Sequence, residues 1–160
     1  MTEHILEILA TLEKPGQPDV IFTSLDRLTK SVVGHQLFTL LIVDGDEVAR
    51  VYSNRSAEYA VSGRKPMGQT PWGDLVLKSR KPYLGRDKQA IRWAFFDHAL
   101  IESMGLGSVI NIPVVYDGVC LGTMNLLDAE FHYRPEHVAT VAALAPLLIP
   151  SFLEARRRGA

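Results

Sequence analysis

With 160 residues, 47% of them hydrophobic and 22% charged, the chain has the size and make-up of one globular domain and not of a disordered segment. Its 17 basic side chains nearly balance the 18 acidic ones, which leaves no electrostatic footprint for nucleic acid. The single cysteine, Cys120, excludes an internal disulfide and fits a reducing, cytoplasmic compartment.

Glu3 and Glu7 interrupt any apolar leader at the N-terminus, so no signal peptide is expected. Ile5, Ile8, Leu9 and Leu12 recur at helical spacing and predict a short amphipathic helix over 2–13. Pro15 and Gly16 break it. Pro18 suits a first helical turn, with Asp19 favouring the positive end of the dipole. Ile21, Leu25, Leu28 and Val32 carry one face onward to Gly34, a natural C-terminal cap.

Residues 36–43 and 47–53 are apolar and β-branched and flank Asp44-Gly45-Asp46, which predicts a hairpin. Residues 54–70 hold Asn54, Gly63, Pro66 and Gly68 and read as a long loop, a type that is usually functional inside a compact domain. Thr70-Pro71 opens a helix to about residue 79, and residues 81–84 suggest a short edge strand. Asp97 reads as the cap of a second short helix ending at Gly105. Residues 108–116 and 119–127 flank Asp117-Gly118, the strongest hairpin signal in the chain.

Pro135 starts a final helix that carries Val138, Val141, Leu144, Leu148 and Phe152 and should be kinked, not ended, by Pro146 and Pro150. Its uncharged stretch, residues 138–153, is shorter than the ~18 residues of a membrane span, so no membrane partner is expected. The basic run Arg156-Arg157-Arg158 suits a helix C-terminus. Helices at both ends with hairpins between them predict an α+β fold, one domain over 1–160. Terminal helices would occupy 1–34, the sheet and its lid 35–134, and the last helix 135–158.

Alternation along a strand assigns the faces. In the first hairpin Phe38, Leu40, Ile42, Ala49 and Val51 share an all-apolar face, which calls for a helix layer. Leu37, Thr39, Leu41, Arg50, Tyr52 and Asn54 share the other, whose mix of cation, phenol, hydroxyl and amide among leucines resembles a pocket lining. In the second, Ile110, Ile112, Val114, Leu121 and Thr123 oppose Val109, Asn111, Pro113, Cys120, Gly122 and Met124.

Two segments carry a family likeness. Met104-Gly105-Leu106-Gly107-Ser108-Val109-Ile110-Asn111-Ile112-Pro113-Val114 runs on to Asp117-Gly118-Val119-Cys120-Leu121-Gly122-Thr123, and Phe131-His132-Tyr133-Arg134-Pro135-Glu136 leads into the last helix. Together they resemble the core signature of GAF domains. The resemblance spans essentially the whole chain and is closest to stand-alone bacterial members. It implies a PAS/profilin-like central antiparallel sheet with N- and C-terminal helices on one face and a ligand-pocket lid on the other. It also implies a sensory or regulatory role, a small-molecule ligand and a homodimer formed through the terminal helices.

The marks of particular subfamilies are missing. One Cys cannot run the thiol relay of GAF-type free methionine sulfoxide reductases. Leu127-Asp128 stands where bilin binders would carry a histidine pair, and Asn125-Leu126 breaks the cyclic-nucleotide pattern. No cofactor is indicated.

Arg50, Tyr52, Trp72, Phe96, His98 and Asn111 are therefore the candidate ligand-binding residues, converging under a lid formed by 54–104. Arg50 would pair with an anionic ligand group or with an internal carboxylate such as Asp97, since an unpaired buried cation is costly. Asp97 and His98 could form an acid–base or orienting pair, but neighbours on a helix do not face each other, so Asp97 reads more simply as a helix cap and His98 as a first-turn residue pointing at the lid. Asp128, Glu130, His132 and His137 lack metal-site spacing. Gly105-x-Gly107 precedes its strand, unlike a dinucleotide loop, and Ser108 lacks a nucleophile elbow. No catalytic residue and no metal ligand is assigned. The expected function is binding of a small polar or anionic metabolite; the alternatives are an enzyme using the same cavity through Asp97, His98 or Cys120, and an interaction domain with a vestigial pocket.

Overall fold

The structure, a computed structural model, describes residues 1–159; Ala160, the last residue of the expected domain, lies outside them. Two helices lead the chain, α1 (Thr2–Thr11) and α2 (Asp19–Val32). The first hairpin follows as β1 (Leu37–Asp44) and β2 (Glu47–Ser53), and the 54–70 loop contributes a two-residue strand, β3 (Lys65–Pro66). Next come α3 (Pro71–Gly73), running on as a π-helix over Asp74–Lys78, and the edge strand β4 (Tyr83–Gly85). Two short helices, α4 (Lys88–Ala94) and α5 (His98–Ser103), precede the second hairpin, β5 (Ser108–Tyr116) and β6 (Val119–Asp128). The chain closes with α6 (Pro135–Leu144), a 3-10 turn (Ala145–Leu148) and α7 (Ile149–Arg157).

The six strands form one sheet in the order β3-β2-β1-β6-β5-β4, and every pairing is antiparallel. The expected α+β architecture is therefore the one observed. Helix α4, which the sequence reading passed over, is capped by Asp87, whose carboxylate accepts from the Ala90 N–H at 2.9 Å.

One face of the sheet is covered by the terminal helices. Phe38, Leu40, Ile42, Ile110, Ile112 and Val114 meet Ile21, Phe22, Leu25, Leu144, Leu148 and Phe152 in a single apolar core. By length and composition the stretch Pro135–Arg157 could cross a bilayer, but its Val141, Leu144, Leu148 and Phe152 are sunk in this core. Pro146 and Pro150 leave the helical path continuous through the 3-10 turn. Gly122 lets this helix lie close: a Cβ there would collide with the Leu41 carbonyl and the Phe152 ring.

Two bulges interrupt the alternation. Leu40 pairs with Tyr52 but Leu41 pairs with Arg50, so Val51 is an extra residue; Val114 pairs with Gly122 but Val115 with Cys120, so Leu121 is another. Both turns have the expected two-residue length, and the face assignments hold from each turn up to its bulge. Beyond the bulge they invert on the bulged strands β2 and β6, while β1 and β5 keep theirs throughout. Tyr52 therefore belongs to the helix-packed side, edge-on to Phe22 and Phe38 at 5.8 Å each, with its hydroxyl donating to Asp26 at 2.7 Å. Met124 and Gly122 likewise lie toward the helix core, while Thr123 and Asn125 take the opposite face. Asn54 caps the start of β1, accepting from the Phe38 N–H at 2.7 Å and donating to Gln36 O at 3.3 Å.

Candidate functional site

The face turned away from the terminal helices forms the floor of a cleft of about 250 Å³. The 54–70 loop walls one side and the α4–α5 connection the other, with Trp72 from the α3 turn reaching between them. This volume lies below the roughly 300–1,000 Å³ of drug-sized pockets and suits a small metabolite.

The floor is a chain of amides. The Trp72 indole N–H donates to Asn111 Oδ1 at 3.0 Å, and Asn111 Nδ2 donates to Asn125 Oδ1 at 2.7 Å. Asn125 Nδ2 in turn reaches Thr39 O at 3.3 Å and Thr39 Oγ1 at 3.2 Å. All four residues are buried, and Asn111 is 1% exposed. Opposed on adjacent strands, Asn111 and Asn125 satisfy one another, so this face can carry amides without the penalty of an unpaired buried polar group.

Arg50 enters from β2. Its guanidinium lies 3.9 Å above the Tyr59 ring and Nη1 donates to Ala60 O at 2.8 Å. Among the described residues it makes no ion pair with a carboxylate, which decides against the internal salt bridge to Asp97. Asp97 instead accepts from the Tyr59 hydroxyl at 2.7 Å. It stands at the N-cap of α5 without capping it: its side chain makes no bond to the helix N–H groups. Tyr59 is itself buried, which pushes its phenol well above the ordinary tyrosine range; the Asp97 carboxylate adds to that rise and the Arg50 cation opposes it.

Of the six residues predicted to converge, Arg50, Trp72, Phe96 and Asn111 line the cleft. Phe96 stands at its mouth, 92% exposed. Tyr52 does not, because the Val51 bulge turns it to the other face, and His98 lies one residue past the lining residue Asp97 without joining it. Tyr59, Asn125 and Asp97 are lining residues that the sequence reading missed or cast otherwise. Tyr59 gave no periodic signal in its loop. Asn125 was hidden by the Leu121 bulge, though an amide opposite Asn111 marks it once the register is known.

Cys120 packs, half-buried, against the apolar cluster of Val43, Val48, Trp72, Val76 and Leu77, and burial pushes its thiol up. Among the described residues no group of His, Cys, Asp and Glu is arranged to hold a metal ion.

Comparison with known proteins agrees with this architecture. The pattern of the GAF domain family matches residues 18–148. Among solved structures, the GAF domain of a phosphoenolpyruvate-protein phosphotransferase from Coxiella burnetii superposes with a TM-score of 0.77 at 20% identity, covering 99% of this chain and 95% of that one. The GAF domain of a two-component sensor histidine kinase from Bacillus halodurans gives 0.72 at 14% identity, covering 90% and 99%. A free methionine-R-sulfoxide reductase from Neisseria meningitidis, in complex with its substrate, gives 0.67 at 18% identity, covering 98% and 90%. At these identities the likeness speaks for the fold alone. Among curated proteins, none matches the sequence.

Proposed function

Because the chain belongs to the GAF domain family, whose members are commonly sensory or regulatory ligand-binding domains, we propose that it binds a small polar or anionic metabolite in the Arg50 cleft and acts as a cytoplasmic homodimer. The observation that carries this reading is Arg50 itself. A guanidinium that lines a small cleft and, among the described residues, meets an aromatic face and hydrogen-bonds one carbonyl keeps donors for an anionic group. The amide floor would fix the ligand's orientation, and Trp72 and Phe95 would supply apolar contact.

The reading is regulatory. Cys120 is the one thiol, half-buried and lifted above its ordinary range by burial, which makes it a packing residue and a poor nucleophile. The homodimer reading draws on Leu6 and Leu9 of α1 and Leu153 of α7, which are exposed apolar side chains on the terminal helices.

Native mass spectrometry of the gently purified protein tests the binding role. A retained small molecule is expected on the wild type and is lost from Arg50→Ala, whose affinity falls by ~1.5–3 kcal/mol, the range for a hydrogen bond to a charged group. An Arg50→Ala protein that melts earlier yet keeps the same ligand would assign Arg50 to stability and overturn the reading. Sedimentation velocity tests assembly: a monomer at every concentration refutes the dimer.

A further inference from the structure

Two opposite charges line the cleft, and among the described residues neither is paired with an opposite charge. Arg50 comes from β2 and Asp97 from the α4–α5 connection, and Tyr59 stands between them. The tyrosine holds both: its ring face carries the guanidinium at 3.9 Å, and its hydroxyl donates to the carboxylate at 2.7 Å. Among the described residues Arg50 makes no contact with any carboxylate, and Asp97 none with any cation. Tyr59 is 9% exposed, so the spacer that keeps the charges apart is buried and tied by its hydroxyl to Asp97. Direct pairing of the two would cancel the cleft's polarity; the observed arrangement preserves it as a dipole across a short gap.

The remaining lining bears on the same point. A second cation, Lys65 of β3, also lines the cleft, and part of the lining is apolar, with Trp72 and Phe95 at 5.6 Å between ring centroids. A simple anion would leave Asp97 facing it unfavourably, and a simple cation would do the same with Arg50. A ligand that carries both charges close together meets each with its opposite.

Resting on the reading of this cleft as the ligand site, we propose that its ligand class is a free α-amino acid or close zwitterionic analogue with an apolar side chain. The carboxylate would meet Arg50, the ammonium Asp97, and the side chain Trp72 and Phe95.

Calorimetric titration of the full chain with L-leucine, L-methionine and L-phenylalanine tests this, each against its N-acetyl and carboxamide derivatives. The Trp72 indole N–H signal in nitrogen–proton NMR spectra reports occupancy of the cleft. Support consists of a free amino acid that shifts this signal and binds at least ~10-fold more tightly than either derivative, a discrimination of about 1.4 kcal/mol. Asp97→Asn should then bring the free and N-acetylated forms to within threefold of each other, while Arg50→Gln should do so for the free and carboxamide forms. The wild-type comparison stands even if a variant fails to fold. An N-acetyl derivative that binds as tightly as the free amino acid overturns the zwitterion assignment and leaves the cleft reading intact. The same follows if no amino acid moves the Trp72 signal while a co-purified molecule does. If the co-purified protein carries nothing and no probe moves the signal, both readings fall.

Discussion

The two faces of the sheet are made from the same strands and solve opposite problems. On the helix-packed face, Phe38, Leu40, Ile42, Ile110, Ile112 and Met124 are apolar without exception and meet an equally apolar helix layer. On the cleft face, Asn111, Asn125, Thr39 and Trp72 hold one another by hydrogen bonds, and two smaller apolar clusters flank them. Burial alone suffices to define the first face. The second needs directional bonds, because each amide left unpaired would cost more than the pairing returns. Apolar burial is thus concentrated on one side, and the paired buried amides are carried by the other.

Truncating the helix side should have the largest effect. Phe152, fully buried and 6.3 Å from Phe22, is expected to lose ~3–5 kcal/mol on Phe152→Ala. Urea unfolding measures this, and a loss no greater than that of a cleft variant would abolish the contrast. Asn111→Leu comes next. It leaves the Trp72 N–H and the Asn125 carbonyl without their partner, at ~1–3 kcal/mol, with the denaturant slope unchanged. A neutral outcome would mean that the amide chain adds nothing beyond its volume.

The acid limb of stability probes the polar rim of the helix side. Burial raises the Asp26 carboxyl, but hydrogen bonds from His35 and Tyr52 outweigh it and leave it below the ordinary value of 3.8. A group depressed in the folded state stabilises above its unfolded pKa and loses that contribution as pH falls through the folded one. Melting temperature should therefore drop on acidification below about pH 3.8, and Asp26→Asn should flatten that drop while lowering stability at neutral pH. An unchanged acid limb in the variant would show that other carboxylates control it. Smallest of all, Cys120→Ala should shift stability by less than ~1 kcal/mol and leave ligand binding as it was. Lost binding would give the thiol a role in the cleft.

Most elements were legible in the sequence because local chemistry marks their ends. Asp117 and Gly118 both take positive φ in the second turn, as a two-residue hairpin loop requires. Pro71 and Pro135 sit at first turns, and Gly34 at φ +87 follows the end of α2. Face assignment was only half legible. Alternation counts residues, and a bulge adds one without any sequence mark, so Tyr52 and Met124 were assigned to the wrong side. Asp97 shows a different limit. Its place before a helix was readable, but its bond to Tyr59 joins residues 38 apart in the chain, and no local rule reaches that far.

Those bulges also bear on how the sequence can drift. Val51 and Leu121 are each the one residue that keeps two phases of alternation in a single strand. Losing either would exchange inside for outside along everything beyond it: Tyr52 would leave its aromatic neighbours, and Asn125 would be driven into the helix core. In the 54–64 segment, by contrast, length can change by a residue with far less consequence, because no ladder there must stay in phase. Related chains should therefore vary in length around the cleft's outer wall while holding these two strand positions free of gaps, so that the site diversifies through its rim and never through its register.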